Sequence, residues 1–238
     1  FVFSSRSDVR PEIFSYLFLA YFLFAIFRAK YEDKTKWLYA LPVVQIFWTN
    51  MHIYFALGPG LLFFFLIDRF FHHKDGPCAT RAVLVVFLLT SLATLINPNF
   101  IRGALAPLTI LRDYPYSIVE NQMIFLLQNF GIQLKDIFFF QISLVILIVS
   151  FFIAFKNHRT KITFEFLAAM FFAIMAGKMI RNFGIYALVF LPIVALNLSE
   201  FNSDRLSATR NKLKIGLYSL FIIGLLFLVM STVNNSFY

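Results

Sequence analysis

Cysteine and charged residues are scarce in this sequence, and both shortages narrow the class of protein. A single cysteine, Cys78, excludes a disulfide within the chain and a metal site built from several thiolates. Only 14% of the residues are charged, 60% are hydrophobic, and the mean hydropathy is +0.78. Because so few polar side chains cannot cover a soluble domain of 238 residues, the composition predicts an integral membrane protein.

Several chemical signatures are also missing. The sequence has no glycine-rich phosphate loop, no Gly-x-Ser-x-Gly and no His-Glu-x-x-His. The apolar runs also lack the paired acids that favour proton-coupled transport, although Asp68 and Glu165 lie near the ends of two runs. The formal charge of +9 does not predict nucleic-acid binding, because the basic residues lie between apolar runs, where they set membrane topology.

Apolar runs of helical length make up most of the chain. We predict one all-α domain over residues 1–238, a polytopic transmembrane bundle of about seven or eight membrane helices. The predicted apolar segments cover residues 13–27, 37–47, 53–71, 80–96, 137–155, 162–176, 183–198 and 215–233. Residues 97–136 mix charged and apolar side chains, which predicts short amphipathic helices on the membrane surface.

A polar pair, Asn50 and His52, interrupts the second of these apolar regions. Residues 37–47 form about 16 Å of helix, which is too short for a hydrocarbon core of about 30 Å, whereas residues 53–71 can cross once. We therefore predict a helical hairpin over 37–71 with the polar pair at its apex. Because an unsatisfied polar group in hydrocarbon costs several kcal/mol, both side chains should face protein, water or a ligand.

Lysine and arginine are distributed unevenly over the predicted loops. With the hairpin entering and leaving on one side, 14 of the 21 fall on the side that holds residues 28–36, 69–81, 156–161 and 205–214. The positive-inside rule places this side in the cytoplasm. Residues 97–136, the tip at 178–181 and the hairpin apex then face outward.

Several short motifs follow one another along the chain. They are Arg10-Pro11 before a span, a Leu-Pro run into Trp48-x-Asn50-x-His52 with Gly58 after it, Leu95-Ile96-Asn97-Pro98, Glu120-Asn121, and Arg181-Asn182 before a Leu191-Pro192 span. In order and spacing they resemble the poorly characterised membrane proteins of the GT-C glycosyltransferase superfamily, over nearly the whole chain. The resemblance implies transfer of a sugar from a polyprenyl-phosphate donor, on the outer face of the bacterial cytoplasmic membrane or in a lumen.

In that superfamily a catalytic acidic residue lies in the first outward loop. This sequence begins at Phe1 without an initiator methionine, so we expect the C-terminal part of a longer protein, with that loop upstream. The catalytic residue is therefore unknown, and Glu120 is the candidate within the chain.

Transfer from a lipid phosphate needs cations near the headgroups and a carboxylate that takes a proton from the acceptor hydroxyl. Lys178 and Arg181, three residues apart at a helical tip, are candidates for phosphate binding, or else anchors among the headgroups. Glu120 and Asn121 are candidates for binding the sugar, or else solvated loop residues. All four lie on the predicted outward side.

Asn50 and His52 are candidates for hydrogen bonds to the sugar or phosphate, or else caps of the hairpin turn. Whether a divalent metal helps to hold the phosphate stays open. The adjacent His72 and His73 point about 100° apart on a helix and do not predict a metal site. The expected partners are the lipid bilayer and a polyprenyl-phosphate-linked sugar.

Two other classes of function stay open. One is a transporter or flippase of lipid-linked saccharides, and the other is a non-catalytic subunit of an envelope polysaccharide assembly system. An acidic residue in an outward loop just before Phe1 favours the enzyme, whereas further spans with inverted symmetry favour the transporter.

Overall fold

The computed structural model describes residues 11–32, 34–72, 80–109, 124, 135–156 and 162–199, and every regular element within them is helical. The α-helices are α1 (Glu12–Tyr31), α2 (Leu41–Met51), α3 (Leu57–Phe71), α4 (Thr80–Ala93), α5 (Phe100–Thr109), α6 (Lys135–Lys156), α7 (Thr163–Lys178) and α8 (Phe183–Ser199). Three 3-10 turns cover Thr35–Ala40, Ile53–Ala56 and Ile180–Asn182. The predicted all-α class is confirmed, whereas the predicted last span, 215–233, lies outside the described residues.

Four helical segments are long and apolar enough to cross a membrane, and they are Glu12–Tyr31, Ile53–Phe71, Asp136–Lys156 and Ile180–Ser199. The outer face of α6 carries large apolar side chains such as Val145, Ile148 and Phe152, each at least 60% exposed. Soluble proteins rarely expose apolar patches of this size, whereas lipid tails are the natural environment for them. These features agree with the predicted integral membrane protein.

The predicted hairpin over 37–71 is present. Pro42 lies in the first turn of α2, where a missing N–H leaves no helical hydrogen bond unmade. The chain becomes extended at His52, with φ −157° and ψ 146°, which ends α2 and allows the reversal into α3. Gln45 Nε2 donates to the Phe55 carbonyl at 3.0 Å, which ties the two arms together. Both arms pack against α1 and α4.

The helices alternate in direction and so define two ends of the bundle. The start of α1 contacts the junction between α7 and α8 through Glu12 and Arg181. The end of α1 contacts the end of α3 and the start of α7 through Lys30, Asp68 and Glu165. We call these the Arg181 end and the Lys30 end.

Between the two ends the core is built from aromatic and aliphatic side chains. The largest that are fully buried include Trp48, Tyr186, Phe22, Phe65, Phe164, Phe172 and Phe183. α6 and α8 run in the same direction, since Phe140 stacks on Phe183 with ring centroids 4.8 Å apart, and Asn197 Nδ2 donates to Ser150 Oγ at 3.1 Å. α8 also packs against α1, which holds the α7–α8 junction, and with it Arg181, against the start of α1.

Helix α5 lies within residues 97–136, the region predicted to form amphipathic helices on the membrane surface. Asn97 shapes the turn before it, because its Nδ2 donates to the carbonyls of Thr94 and Phe100 at 2.8 and 2.9 Å. None of the residues of α5 is buried, and the helix packs against the 3-10 turn Ile53–Ala56. The helix therefore lies on the surface at the Arg181 end, as expected for an amphipathic surface helix.

Candidate functional site

The Arg181 end holds an ion pair between Arg181 and Glu12. Nε and Nη2 of Arg181 both reach Oε1 of Glu12, at 2.7 and 2.6 Å. The Glu12 side chain is only 4% exposed, whereas the Arg181 side chain is 32% exposed. A buried carboxylate is thus held by a guanidinium that solvent or a ligand can reach.

His52 lies next to this ion pair, at the apex of the hairpin. Its Nδ1 lies 2.8 Å from Ser15 Oγ, and its ring meets Tyr54 edge to face with centroids 4.8 Å apart. Burial lowers the pKa of His52 below its ordinary value of 6.5, while the charge of Glu12 raises it and that of Arg181 lowers it. The imidazole is therefore neutral at pH 7, and it lies close enough to the ion pair to be influenced by both charges.

Tyr54 and Asn182 connect the hairpin to the α7–α8 junction. The Tyr54 hydroxyl donates to Asn182 Oδ1 at 2.8 Å, and Asn182 Nδ2 donates to the Met175 carbonyl at 2.8 Å. Asn182 is buried, so its amide orientation is fixed by these two bonds. Together with Glu12, Ser15, His52 and Arg181, these side chains form the Arg181-end cluster.

Asn50 lies at the same end and makes its described contacts with backbone. Its Nδ2 donates to the carbonyls of Ile46 and Ile96, both at 2.8 Å, which fastens the end of α2 to the turn after α4. The side chain is exposed. Its role in binding a sugar or phosphate stays a prediction.

Lys178 and Arg181 do not lie on one continuous helix. α7 ends at Lys178, and Met179 is extended with φ −151° and ψ 124°, so the i, i+3 relationship of a helix does not apply. Lys178 is exposed at the helix end, whereas Arg181 turns inward to Glu12. Phosphate binding by either residue stays a prediction. Glu120 and Asn121 lie outside the described residues.

A second polar cluster, the Lys30-end cluster, consists of Lys30, Asp68, Glu165 and Tyr31. Lys30 Nζ lies 2.8 Å from Asp68 Oδ1 and 2.7 Å from Glu165 Oε2, and all three charged side chains are at most 4% exposed. The Tyr31 hydroxyl donates to Glu165, and the backbone N–H of Phe164 donates to Asp68 Oδ1 at 3.1 Å. The start of α7 thus adds the positive end of a helix to the ammonium group.

Sequence reasoning missed several members of both clusters. In the sequence, Glu12 looks like an ordinary acidic residue in the first turn of a helix. Lys30 looks like one of the basic residues that follow a span and set its orientation in the membrane. One signal was available, since Glu12 and Ser15 are spaced i, i+3 and therefore lie on the same face of α1. Asp68 and Glu165 lie near the ends of two predicted apolar runs, but their link through Lys30 is a tertiary contact.

Among the described residues no group of three or more His, Cys, Asp or Glu side chains is placed to hold a metal ion. The chain matches no protein family, no curated protein and no solved structure in the comparisons made. Membership of the GT-C superfamily therefore stays a prediction.

Proposed function

We propose that this chain is part of a GT-C-type membrane glycosyltransferase that transfers a sugar from a polyprenyl-phosphate donor to an acceptor on the outer side of a membrane. The observation that carries the proposal is the grouping of Arg181, Glu12 and His52, which brings a guanidinium, a carboxylate and an imidazole together at one end of an apolar bundle. Transfer from a lipid phosphate needs a cation for the phosphate and a carboxylate that can take a proton, and a neutral imidazole adds a hydrogen-bond donor.

Arg181 is the group that we assign to the donor phosphate. A guanidinium can engage two phosphate oxygens at once, and its partial exposure leaves it within reach of a lipid headgroup. The phosphate then competes with Glu12 for the same N–H groups. Losing a charge-assisted hydrogen bond of this kind costs about 1.5–3 kcal/mol.

Glu12 gains a role from the same exchange. When the phosphate takes over the N–H groups of Arg181, the carboxylate oxygen that they held can accept the proton of an acceptor hydroxyl. The acceptor oxygen then bonds to the anomeric carbon of the sugar, the bond from that carbon to the phosphate oxygen breaks, and the electron pair leaves with the phosphate. Arg181 stabilises the charge that develops there.

The test measures transfer of a radiolabelled sugar from a polyprenyl-phosphate donor by purified variants of the full-length protein. We expect Arg181→Ala to be severely impaired, Arg181→Lys to be intermediate because lysine keeps the charge but loses the fork, and Lys178→Ala to be mildest. A folded Arg181→Ala protein that transfers sugar at the wild-type rate would contradict the proposal.

Arg181→Ala also leaves Glu12 buried without this cation, so loss of folding has to be separated from loss of chemistry. The double variant Glu12→Gln/Arg181→Ala removes both charges and serves as the control. We expect it to fold and to stay inactive. Recovery of transfer in the double variant would show that Arg181 serves only to neutralise Glu12.

A transporter of lipid-linked saccharide is the second candidate, and the Lys30-end cluster favours it. Buried charges from three helices are costly in a membrane bundle and often mark a transport pathway. In proteoliposomes without an acceptor, a transporter moves a fluorescent lipid-linked saccharide between leaflets. It loses this movement in the charge-neutralised variant Lys30→Met/Asp68→Asn/Glu165→Gln, which leaves no buried charge uncompensated. The glycosyltransferase proposal expects no movement by the wild-type chain.

A further inference from the structure

Ser15 lies between the indole of Trp48 and the imidazole of His52. This position determines which ring nitrogen of His52 carries the proton. The indole N–H of Trp48 can only donate, and it donates to Ser15 Oγ at 2.9 Å. Ser15 is 1% exposed, so its own O–H needs an acceptor inside the protein. Among the described residues the acceptor within reach is Nδ1 of His52, at 2.8 Å.

The other neutral tautomer of His52, with its proton on Nδ1, would leave the Ser15 hydroxyl without an acceptor among the described residues. If Nδ1 of His52 carried the proton and donated to Ser15 Oγ, the serine oxygen would accept two hydrogen bonds while its hydroxyl proton had no described acceptor. An unpaired buried donor is unfavourable, and Trp48 and Ser15 are both too deeply buried for water to replace the missing partner. The network therefore requires a lone pair on Nδ1.

We infer that Ser15 is a positioning residue that holds His52 as the neutral tautomer with its proton on Nε2, so that His52 presents a hydrogen-bond donor to a ligand and not a base. No hydrogen bond to Nε2 is found among the described residues, and the imidazole is only partly buried. The matching ligand group is an oxygen acceptor, such as a phosphate oxygen or a sugar hydroxyl.

Two charged groups lie near the ring and act on its pKa in opposite directions. Arg181 opposes protonation, and Glu12, which favours it, is already engaged by Arg181. Burial opposes protonation most strongly. A base role needs a free lone pair, and the lone pair of His52 is occupied by the Ser15 hydroxyl. The tautomer does not rest on the proposed transferase activity, whereas the use of the donor by a phosphate or sugar does.

The experiment is nitrogen-15 NMR on the full chain in lipid nanodiscs at pH 7.5, with labelled histidine. The coupling pattern of each ring shows which nitrogen bears the proton. The chain has 4 histidines, and the His52 signals are assigned by their loss in His52→Gln. We expect the wild-type ring to be protonated at Nε2 alone.

Three variants test whether Ser15 is the cause. Ser15→Ala should give a mixture of the two tautomers, whereas Ser15→Thr should keep the single tautomer because threonine retains the hydroxyl. The control is Ser143→Ala. Ser143 is a buried serine on α6 that is hydrogen-bonded to Tyr186, so its loss should leave the His52 spectrum unchanged. If Ser15→Ala does not fold, the wild-type spectrum alone decides. A wild-type ring protonated at Nδ1, an imidazolium at pH 7.5, or an unchanged spectrum in folded Ser15→Ala overturns the inference.

Failure of this inference and failure of the proposed function are distinguishable. A ring protonated at Nε2 in a chain that transfers no sugar leaves the inference standing and removes the transferase. A ring protonated at Nδ1 in a chain that transfers sugar removes the inference and leaves the transferase standing.

Discussion

The two ends of the bundle both carry buried charge, but they differ in how that charge is compensated. At the Lys30 end one ammonium bridges two carboxylates, and no charged side chain of the three is more than 4% exposed. At the Arg181 end the carboxylate is buried while its cation is 32% exposed. A closed cluster holds helices together, whereas a half-open one can exchange a partner for a ligand.

The closed cluster has the features of a structural contact. Lys30 lies on α1, Asp68 on α3 and Glu165 on α7, so its ammonium joins three helices. Additional donors come from the Tyr31 hydroxyl and the Phe164 N–H. Removing one partner from such a cluster leaves an uncompensated buried charge, which is far more costly than losing an exposed pair.

The largest effect that we predict is therefore on stability at the Lys30 end. Lys30→Met leaves Asp68 and Glu165 buried without their ammonium and should lower the free energy of unfolding by about 3–5 kcal/mol. The control is Lys34→Met, since Lys34 and Glu32 form an exposed pair and should change stability by no more than about 0.5 kcal/mol. Denaturant titration of both variants in detergent measures the difference, and equal stabilities would contradict a structural role for Lys30.

A smaller effect is expected where the hairpin packs tightly near the Arg181 end. A Cβ on Gly58 would lie 2.3 Å from Gln45 Oε1 and 2.9 Å from Phe22 Cζ, and both neighbours are fully buried. Gly58→Ala should therefore cost about 1–3 kcal/mol.

The matched control for this site is Gly60→Ala, two residues further along α3. A Cβ there meets no atom within 4 Å, so alanine should be neutral or slightly stabilising because of its higher helix propensity. Thermal unfolding of the two variants compares them directly. Tolerance of Gly58→Ala would show that the hairpin apex is looser than these contacts indicate.

The smallest effect that we predict is a pH dependence of the protein's stability that arises from His52 at the Arg181 end. Burial lowers the pKa of His52 below 6.5, so the unfolded chain binds the proton more tightly than the folded chain does. His52 then costs no stability above about pH 6.5. The protein loses stability as the pH falls below that value, because the unfolded chain takes up a proton that burial keeps off the folded imidazole.

Melting temperatures at pH 7.5 and pH 5.0 test this prediction against His52→Gln. The wild-type chain should lose more of its stability on acidification than the variant does, because the variant has no imidazole to protonate. Equal losses would mean that His52 is already solvated and that the Arg181 end is more open than the structure shows.

Much of the fold could be predicted from the sequence because it depends on local patterns. The hairpin follows from a short apolar run, Pro42 and the polar pair before the next run, and the surface position of α5 follows from its mixed composition. The clusters could not be predicted in this way, since Glu12 meets Arg181, and Lys30 meets Glu165, only after the helices pack. The break between Lys178 and Arg181 has no such local signal, because Gly177 lies inside α7 and not after its last residue.

We propose that the Arg181 end acts on a ligand and that the Lys30 end holds the bundle together. The most direct test is sugar transfer per folded molecule in two charge-neutralised variants of the full-length protein, Glu12→Gln/Arg181→Gln and Lys30→Met/Asp68→Asn/Glu165→Gln. We expect the first variant to fold and to transfer no sugar, and the second to transfer sugar at close to the wild-type rate per folded molecule. Transfer by the first variant, or loss of transfer in a folded second variant, would contradict it.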